Sequence, residues 1–287
     1  MSSSTSALNG RRRRSTRTGS QLGVHVVLLL GGVVMVSPFL YQVLATFMSN
    51  DQITSVPPVL WPTTWNLDNY LGVFTQIPFL RQLGNTVVIT VLTTAATLIL
   101  CALGGYAFAR MRFPGKGALF SIVLSMLMVP GTLLLIPQYQ TVEAFGWLDS
   151  FAGIVVPGLV NAFGIFMMRQ FFLGLPHELE EAARLDGANP FQIFWRIMLP
   201  LAKPGLSALG ILTVLASWSS LLWPLVVVNT QDMMPLSVGL ASFTGEHGSE
   251  YPSMLAAALM AMLPIMILFL FMQRRVIEGI AFSGLKG

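Results

Sequence analysis

Three histidines, one cysteine and twelve carboxylates are the side chains with which this sequence could perform metal, redox or acid–base chemistry. Their spacing assembles no such site. His25, His177 and His247 lie far apart, and no Cys/His cluster has metal-ligand spacing. Cys101 sits inside an apolar run, where it has no intrachain disulfide partner and reads as a small buried side chain. No GxxxxGK[ST] phosphate-binding loop occurs, so ATP is not bound by that route. Carboxylates concentrate in one stretch only, residues 174–204, which reads GLPHELEEAARLDGANPFQIFWRIMLPLAKP. Leu175, Leu179, Ala182 and Ala183 recur there at helical spacing, Pro176 suits a first helical turn, and Glu178, Glu180 and Glu181 favour a helix N-terminus. Gly187 is suited to end that helix. Asn189 then reads as an N-cap with Pro190 at the first position of a second short helix, whose apolar face is Phe191, Phe194, Trp195 and Met198. Pro200 and Pro204 end it.

The elements that hold this stretch are apolar. Of 287 residues 54% are hydrophobic and only 10% charged, a balance suited to lipid and not to a soluble core. Six runs are long enough to cross a bilayer: residues 22–47, 83–109, 118–141, 151–172, 205–228 and 252–272. Helices are expected because the backbone must satisfy itself in lipid. All 16 basic residues but Arg81 fall on one side of six such spans, which predicts cytoplasmic termini and a cytoplasmic 174–204 loop. The net charge of +4 is dispersed between apolar runs, so nucleic acid is not the expected partner. The first run is too long for a cleaved signal, and residues 1–21, rich in Ser, Thr and Arg, are expected to be a disordered cytoplasmic tail touching anionic lipid.

The spans carry almost no ionisable residues, which argues against ion coupling and against covalent chemistry. A solute moved by this chain would draw its energy from a partner. Prolines interrupt the pattern at Pro130-Gly131, Pro137, Pro157-Gly158, Pro224 and Pro264; either they are simply tolerated, as membrane helices tolerate proline, or their kinks open a cavity and supply hinges. The polar side chains of the spans are neutral: Gln138, Tyr139, Asn161, Ser217, Ser219 and Ser220, with Trp218 and Trp223 beside them. Such groups serve as helix–helix glue or as a lining for a neutral, hydroxyl-rich solute. An apolar-faced helix pair in a loop marks a partner site, unless it folds back on its own bundle or lies on the membrane surface.

Glu181-Ala182-Ala183, Gly187 and Ile197-Met198-Leu199-Pro200 match every fixed position of EAA-x3-G-x9-I-x-LP, and so resemble the EAA motif of bacterial ABC importer permeases. YAFARMRFPGKG after the second span, Pro137-Gln138-Tyr139, MRQFFLGLP and the terminal QRRVIEGIAFSGLKG are similar to the six-span permease of the carbohydrate importers, over residues 22–287. The resemblance implies an all-α polytopic membrane protein of the type I importer fold, with six transmembrane helices and cytoplasmic coupling helices. One permease domain covers 22–287, with its core at 80–273. Glu181, Ala182, Ala183, Asp186, Gly187, Ile197, Leu199 and Pro200 would couple to an ATPase, and the C-terminal tail would reach toward it. The implied partners are a second, different permease, a cytoplasmic ATPase dimer carrying ATP and magnesium, and an extracytoplasmic substrate-binding protein; no cofactor is expected on this chain. The chain itself would be a non-catalytic subunit in the bacterial cell membrane, moving a sugar, a glycerol phosphate or an amino sugar. Relatives often have Trp-Asn where this sequence has Trp218-Ser219, which leaves the substrate open. The rivals are an ion-coupled carrier, which predicts charged spans and inverted repeats, and a membrane scaffold, which has no use for the whole motif.

Overall fold

A computed structural model describes residues 15–245 and 248–284, and its architecture is helical apart from a two-residue antiparallel pairing of Thr244–Gly245 with Gly248–Ser249. The chain forms two compact units, one of Met1–Tyr70 with Glu250–Leu259 and one of Leu71–Ser249 with Met260–Gly287.

In the first unit, α1 (Ser15–Ala45) is followed by α2 (Asn50–Thr54). Ser49 caps α2 with a full capping box, its hydroxyl accepting from Gln52 N–H while the Gln52 side chain accepts from the Ser49 N–H. The Asn69 amide donates to the carbonyls of Thr46 and Met48, which satisfies the frayed end of α1. The expected boundary at residue 22 moves: α1 begins at Ser15, so residues 15–21 are helical backbone. Residues 15–21 hold no proline, and a helix already nucleated in the apolar run extends into them without a second nucleus, although Gly19 and the Ser and Thr residues are weak helix formers. Arg11–Arg14 lie outside the described residues.

The second unit follows α3 (Asp68–Gln76) with α4 (Phe79–Arg110), α5 (Lys116–Met126), α6 (Leu135–Ala144), α7 (Phe151–Val155), α8 (Ala162–Leu173), α9 (Glu178–Leu185), α10 (Pro190–Ile193), α11 (Leu199–Leu201), α12 (Lys203–Trp218), α13 (Leu222–Val227) and α14 (Leu236–Ala241). The last helix, α15 (Tyr251–Gly284), runs through both units. Helix α4 is the spine, packed against α8 and α12. It approaches α8 closely because Gly105 and Gly164 have no side chains. A Cβ at Gly105 would stand 2.6 Å from Met168 Cβ, and one at Gly164 would stand 2.5 Å from Cys101 Sγ. Cys101, Met168, Phe172, Ile193, Met198 and Leu209 form the core at one end of this bundle; Ile89, Val142, Ile154, Val155 and Val227 form it at the other.

Three helices cross a membrane by length and hydropathy as they stand: Gly23–Ala45, Phe79–Arg110 and Tyr251–Phe271. Three bent pairs pass the same test only together, Lys116–Met126 with Gly131–Ala144 at 95°, Phe151–Gly158 with Ala162–Leu173 at 48°, and Pro190–Leu201 with Lys203–Trp218 at 74°. Six spans result when each pair is counted once. The breaks at Pro130-Gly131 and Pro157-Gly158 fall where the sequence places them. Pro137 and Pro224 do not break helices. They lie in the first turns of α6 and α13, where a missing N–H is harmless. Helix α15 continues through Pro264. The expected 205–228 span instead ends at Trp218, turns through residues 219–221 and resumes as α13.

Proline leaves the carbonyl four residues earlier without its helical donor, and lipid supplies none. Side chains repair several of these carbonyls. Ser37 Oγ donates to Val34 O, at 2.9 Å, behind Pro38. Trp223 Nε1 donates to Gly153 O, at 3.1 Å, behind Pro157. Ser237 Oγ donates to Ser220 O, at 2.6 Å, behind Pro224. Trp218 Nε1 donates to Ala261 O, at 3.2 Å; this is not the carbonyl that Pro264 orphans, which is Met260 O, so the bond ties α12 to α15 without repairing a proline gap.

Candidate functional site

The 174–204 stretch folds as expected in outline. Helix α9 begins after His177, so Pro176 lies just before it and not in its first turn. It ends in a Schellman turn: Gly187, at φ +81°, donates its N–H to Arg184 O, and Ala188 N–H donates to Ala183 O. A side chain at Gly187 would meet open space, so the requirement for glycine is conformational. Asn189 and Gln192 form a reciprocal capping box that launches α10.

The second helix does not present the apolar face read from its sequence. Residues Phe194–Met198 form a π-turn, in which Leu199 N–H reaches back to Phe194 O. The extra residue in that turn rotates the side chains. Ile193, Phe194 and Met198 turn into the core, while Phe191 and Trp195 stay outside at 67% and 44% exposure. Of the eight motif residues, Glu181, Ala182, Asp186, Gly187 and Pro200 are exposed, Ala183 is buried, and Ile197 and Leu199 are partly buried against the core. Leu185, at 89% exposure, stands on the same loop.

The residue that ties this loop to the bundle is Arg110, which its sequence position suggests is a loop charge. It is the last residue of α4 and its side chain is fully buried. Its guanidinium donates to Phe172 O, 3.1 Å from Nε and 2.6 Å from Nη2, and to Leu175 O, and contacts His177 Nδ1. Phe172 O lies in the last turn of α8, where the helix dipole favours a cation, and Leu175 O lies two residues past its end. Glu180, also buried, places Oε1 3.5 Å from Arg110 Nε but accepts no hydrogen bond at that oxygen. The two are in charge contact and are not a hydrogen-bonded pair. Glu180 Oε2 lies 3.5 Å from the exposed Arg184.

A second feature is a cavity of about 440 Å³ within the second unit, between α4, α6, α7, α8, α12 and α13. Gln138, Asn161, Ser217, Ser220 and Trp223 line it, as the sequence reading grouped them. Three others do not. Tyr139 packs on the core around Val142, Ser219 Oγ donates back to Leu215 O, and Trp218 reaches Ala261. Two of the lining groups are also structural: Asn161 Oδ1 caps α8 by accepting from Gly164 N–H, and the Trp223 indole repairs Gly153. The sequence reading missed Thr86, Thr93, Thr97 and Thr213 on the same wall. Their signal was available as threonines at 86, 90, 93 and 97, one face of the second span. No Asp, Glu, Lys, Arg or His is among the lining residues described.

The fold is that of a multi-span membrane protein whose broken helices surround a neutral cavity. Residues 34–281 match the family described as binding-protein-dependent transport system inner membrane component, and the chain belongs to that family. It is 37% identical over 257 residues to the arabinooligosaccharides transport system permease protein AraQ of Halalkalibacterium halodurans, covering 88% of this chain and 92% of that protein. It is 32% identical over 267 residues to the sn-glycerol-3-phosphate transport system permease protein UgpE of Escherichia coli, covering 90% and 95%. Among solved structures it resembles a bacterial ABC transporter involved in the import of the acidic polysaccharide alginate, with TM-score 0.78, 26% identity, and 93% and 99% coverage. A second alginate transporter structure, in complex with alginate pentasaccharide-bound periplasmic protein, shares the fold at TM-score 0.65 and 15% identity, with 91% and 96% coverage.

Proposed function

We propose that this chain is the non-catalytic permease of an ATP-driven sugar importer, and that α9, Gly187 and α10 dock on a separate ATPase. Loop and termini then face the cytoplasm of a bacterium, and both ATP and magnesium belong to the ATPase dimer. A second permease completes the pathway in the lipid bilayer, and an extracytoplasmic binding protein delivers the solute. The observation that carries this reading is the exposed patch of Ala182, Leu185, Phe191 and Trp195 around the Gly187 turn. Water-exposed side chains of that size at a fixed turn fit a groove in a partner. Glu181, Asp186 and Gly187 would meet the partner, while Ala183, Ile197, Leu199 and Pro200 would carry its movement into the bundle. The uncharged cavity favours a neutral saccharide over the phosphorylated solute named for UgpE.

The test is co-purification of the ATPase with the native chain and with Gly187→Pro. Proline cannot adopt the +81° φ and removes the N–H given to Arg184 O. Retention by the native chain and loss by a normally inserted variant are expected. No retention by the native chain, or equal retention by both, overturns the docking assignment.

A further inference from the structure

Thr90, Thr94 and Thr97 each hold a buried hydroxyl with no hydrogen-bond partner. That is unusual for a helical threonine, which ordinarily donates to the carbonyl four residues back. Elsewhere in this bundle it does so: Thr86 Oγ1 donates to Gln82 O and Thr213 Oγ1 to Leu209 O, each at 2.9 Å. A buried polar atom left unpaired opposes folding, so a run of them within one span calls for a reason. Position supplies one for Thr97 alone, since Thr90 and Thr94 are not among the cavity-lining residues. Thr86, Thr93 and Thr97 line the cavity, and Thr97, at 1% exposure, is the most buried of them. Across from this wall stand Gln138, Ser217 and Ser220, whose side chains make no hydrogen bond among the described residues.

We propose that the threonine column of α4, centred on Thr93 and Thr97, is a hydrogen-bonding subsite of the translocation pathway inside this chain. Its ligand is an uncharged, hydroxyl-rich solute, a saccharide or polyol. The proposal rests on the permease reading above and specifies the wall its solute touches. A hydroxyl both donates and accepts, so a ladder of them exchanges partners with successive sugar hydroxyls at nearly equal energy. A charged wall would hold the solute at one rung. Thr86 is already committed to Gln82 O and Leu236 N–H, so the free rungs are Thr93 and Thr97, one helical turn apart, a rise of about 6 Å that matches one sugar ring.

The test uses the whole complex in proteoliposomes. In a Cys101→Ala background, single substitutions Thr93→Cys, Thr97→Cys and Thr94→Cys are exposed to the water-soluble reagent sulfonatoethyl methanethiosulfonate. Thr94 is buried and unpartnered but outside the cavity lining, so it is the control. Labelling at 93 and 97 but not at 94 is expected; no labelling at 93 and 97, or equal labelling at all three, overturns the subsite. Uptake is then read with arabinotriose, maltotriose and glycerol phosphate. Thr97→Val should lower accumulation of the neutral sugar by roughly two- to tenfold, the worth of one hydrogen bond, while Thr97→Ser stays near wild type. Unchanged uptake by Thr97→Val, or a wild-type complex that accumulates only glycerol phosphate, overturns the proposal. If the ATPase fails to co-purify and nothing accumulates, the permease reading is what fails. The labelling contrast then still decides whether the column faces water.

Discussion

Replacing Arg110 by methionine should be the most damaging single change in the loop's attachment. The substitution keeps the volume of the stem but removes every donor. Two carbonyls, Phe172 O in the last turn of α8 and Leu175 O just past it, then lose a charged partner inside the bundle. Glu180 is left buried with only Arg184 within ion-pair distance. Breaking one side of such an arrangement costs about 3–5 kcal/mol. At about 2–4 °C per kcal/mol, that lowers the midpoint by about 6–20 °C. Glu180→Gln should cost far less, about 1 kcal/mol. Its Oε1 accepts no hydrogen bond, and the arginine charge is already met by carbonyls and by the C-terminal dipole of α8. Cys101, the single cysteine and fully buried, is the reporter: a thiol-reactive dye labels this chain only as it unfolds on heating. If Glu180→Gln lowers the midpoint as far as Arg110→Met, the carbonyls are not the main partners and the reasoning is refuted.

Trp223→Phe should cost about 1–3 kcal/mol by stripping Gly153 O of its donor behind Pro157, read in the same thermal assay, and an unchanged midpoint would argue against carbonyl repair. Gly105→Ala should force α4 and α8 apart, since its Cβ meets Met168 Cβ at 2.6 Å, at about 1–3 kcal/mol, and a neutral result would mean that the crossing can relax. The Asp149 carboxyl is held below its usual range chiefly by the N–H groups of Thr230 and Asn229. A lowered folded pKa gives stability that is present above the unfolded value of about 4 and is lost as pH falls through the folded one. Thermal midpoints of wild type and Asp149→Asn should therefore differ at pH 7 and converge in acid; a gap that widens below about pH 4 reverses the assignment.

The spans were legible because lipid demands long apolar runs, and the loop because caps and turns have local signatures. Asn189, Pro190 and Gly187 do in the structure what their types imply. The π-turn at Phe194–Met198 was not legible. A pattern of four large apolar residues assumes a regular 3.6-residue period, and tertiary packing changed that period. Arg110 falls just past the 83–109 apolar run, and sequence alone does not show that α8 ends against it. Trp218 and Trp223 were grouped with cavity residues for their chemistry, but their indole N–H groups are committed to backbone carbonyls. The basic C-terminal tail expected near the ATPase begins beyond the side chains described, and residues 285–287 lie outside the described structure.

The carbonyl donors bear on how the second unit can move. Trp223 belongs to α13 and the carbonyl it serves to α7; Ser237 belongs to α14 and its carbonyl to the turn before α13. Each weak point in one helix is thus clasped by its neighbour. Flexing at Pro157 beyond the reach of the Trp223 indole exposes a bare carbonyl in an apolar medium. The breaks therefore resist independent, gradual bending. They favour switching between few arrangements, like linked clasps that open in step.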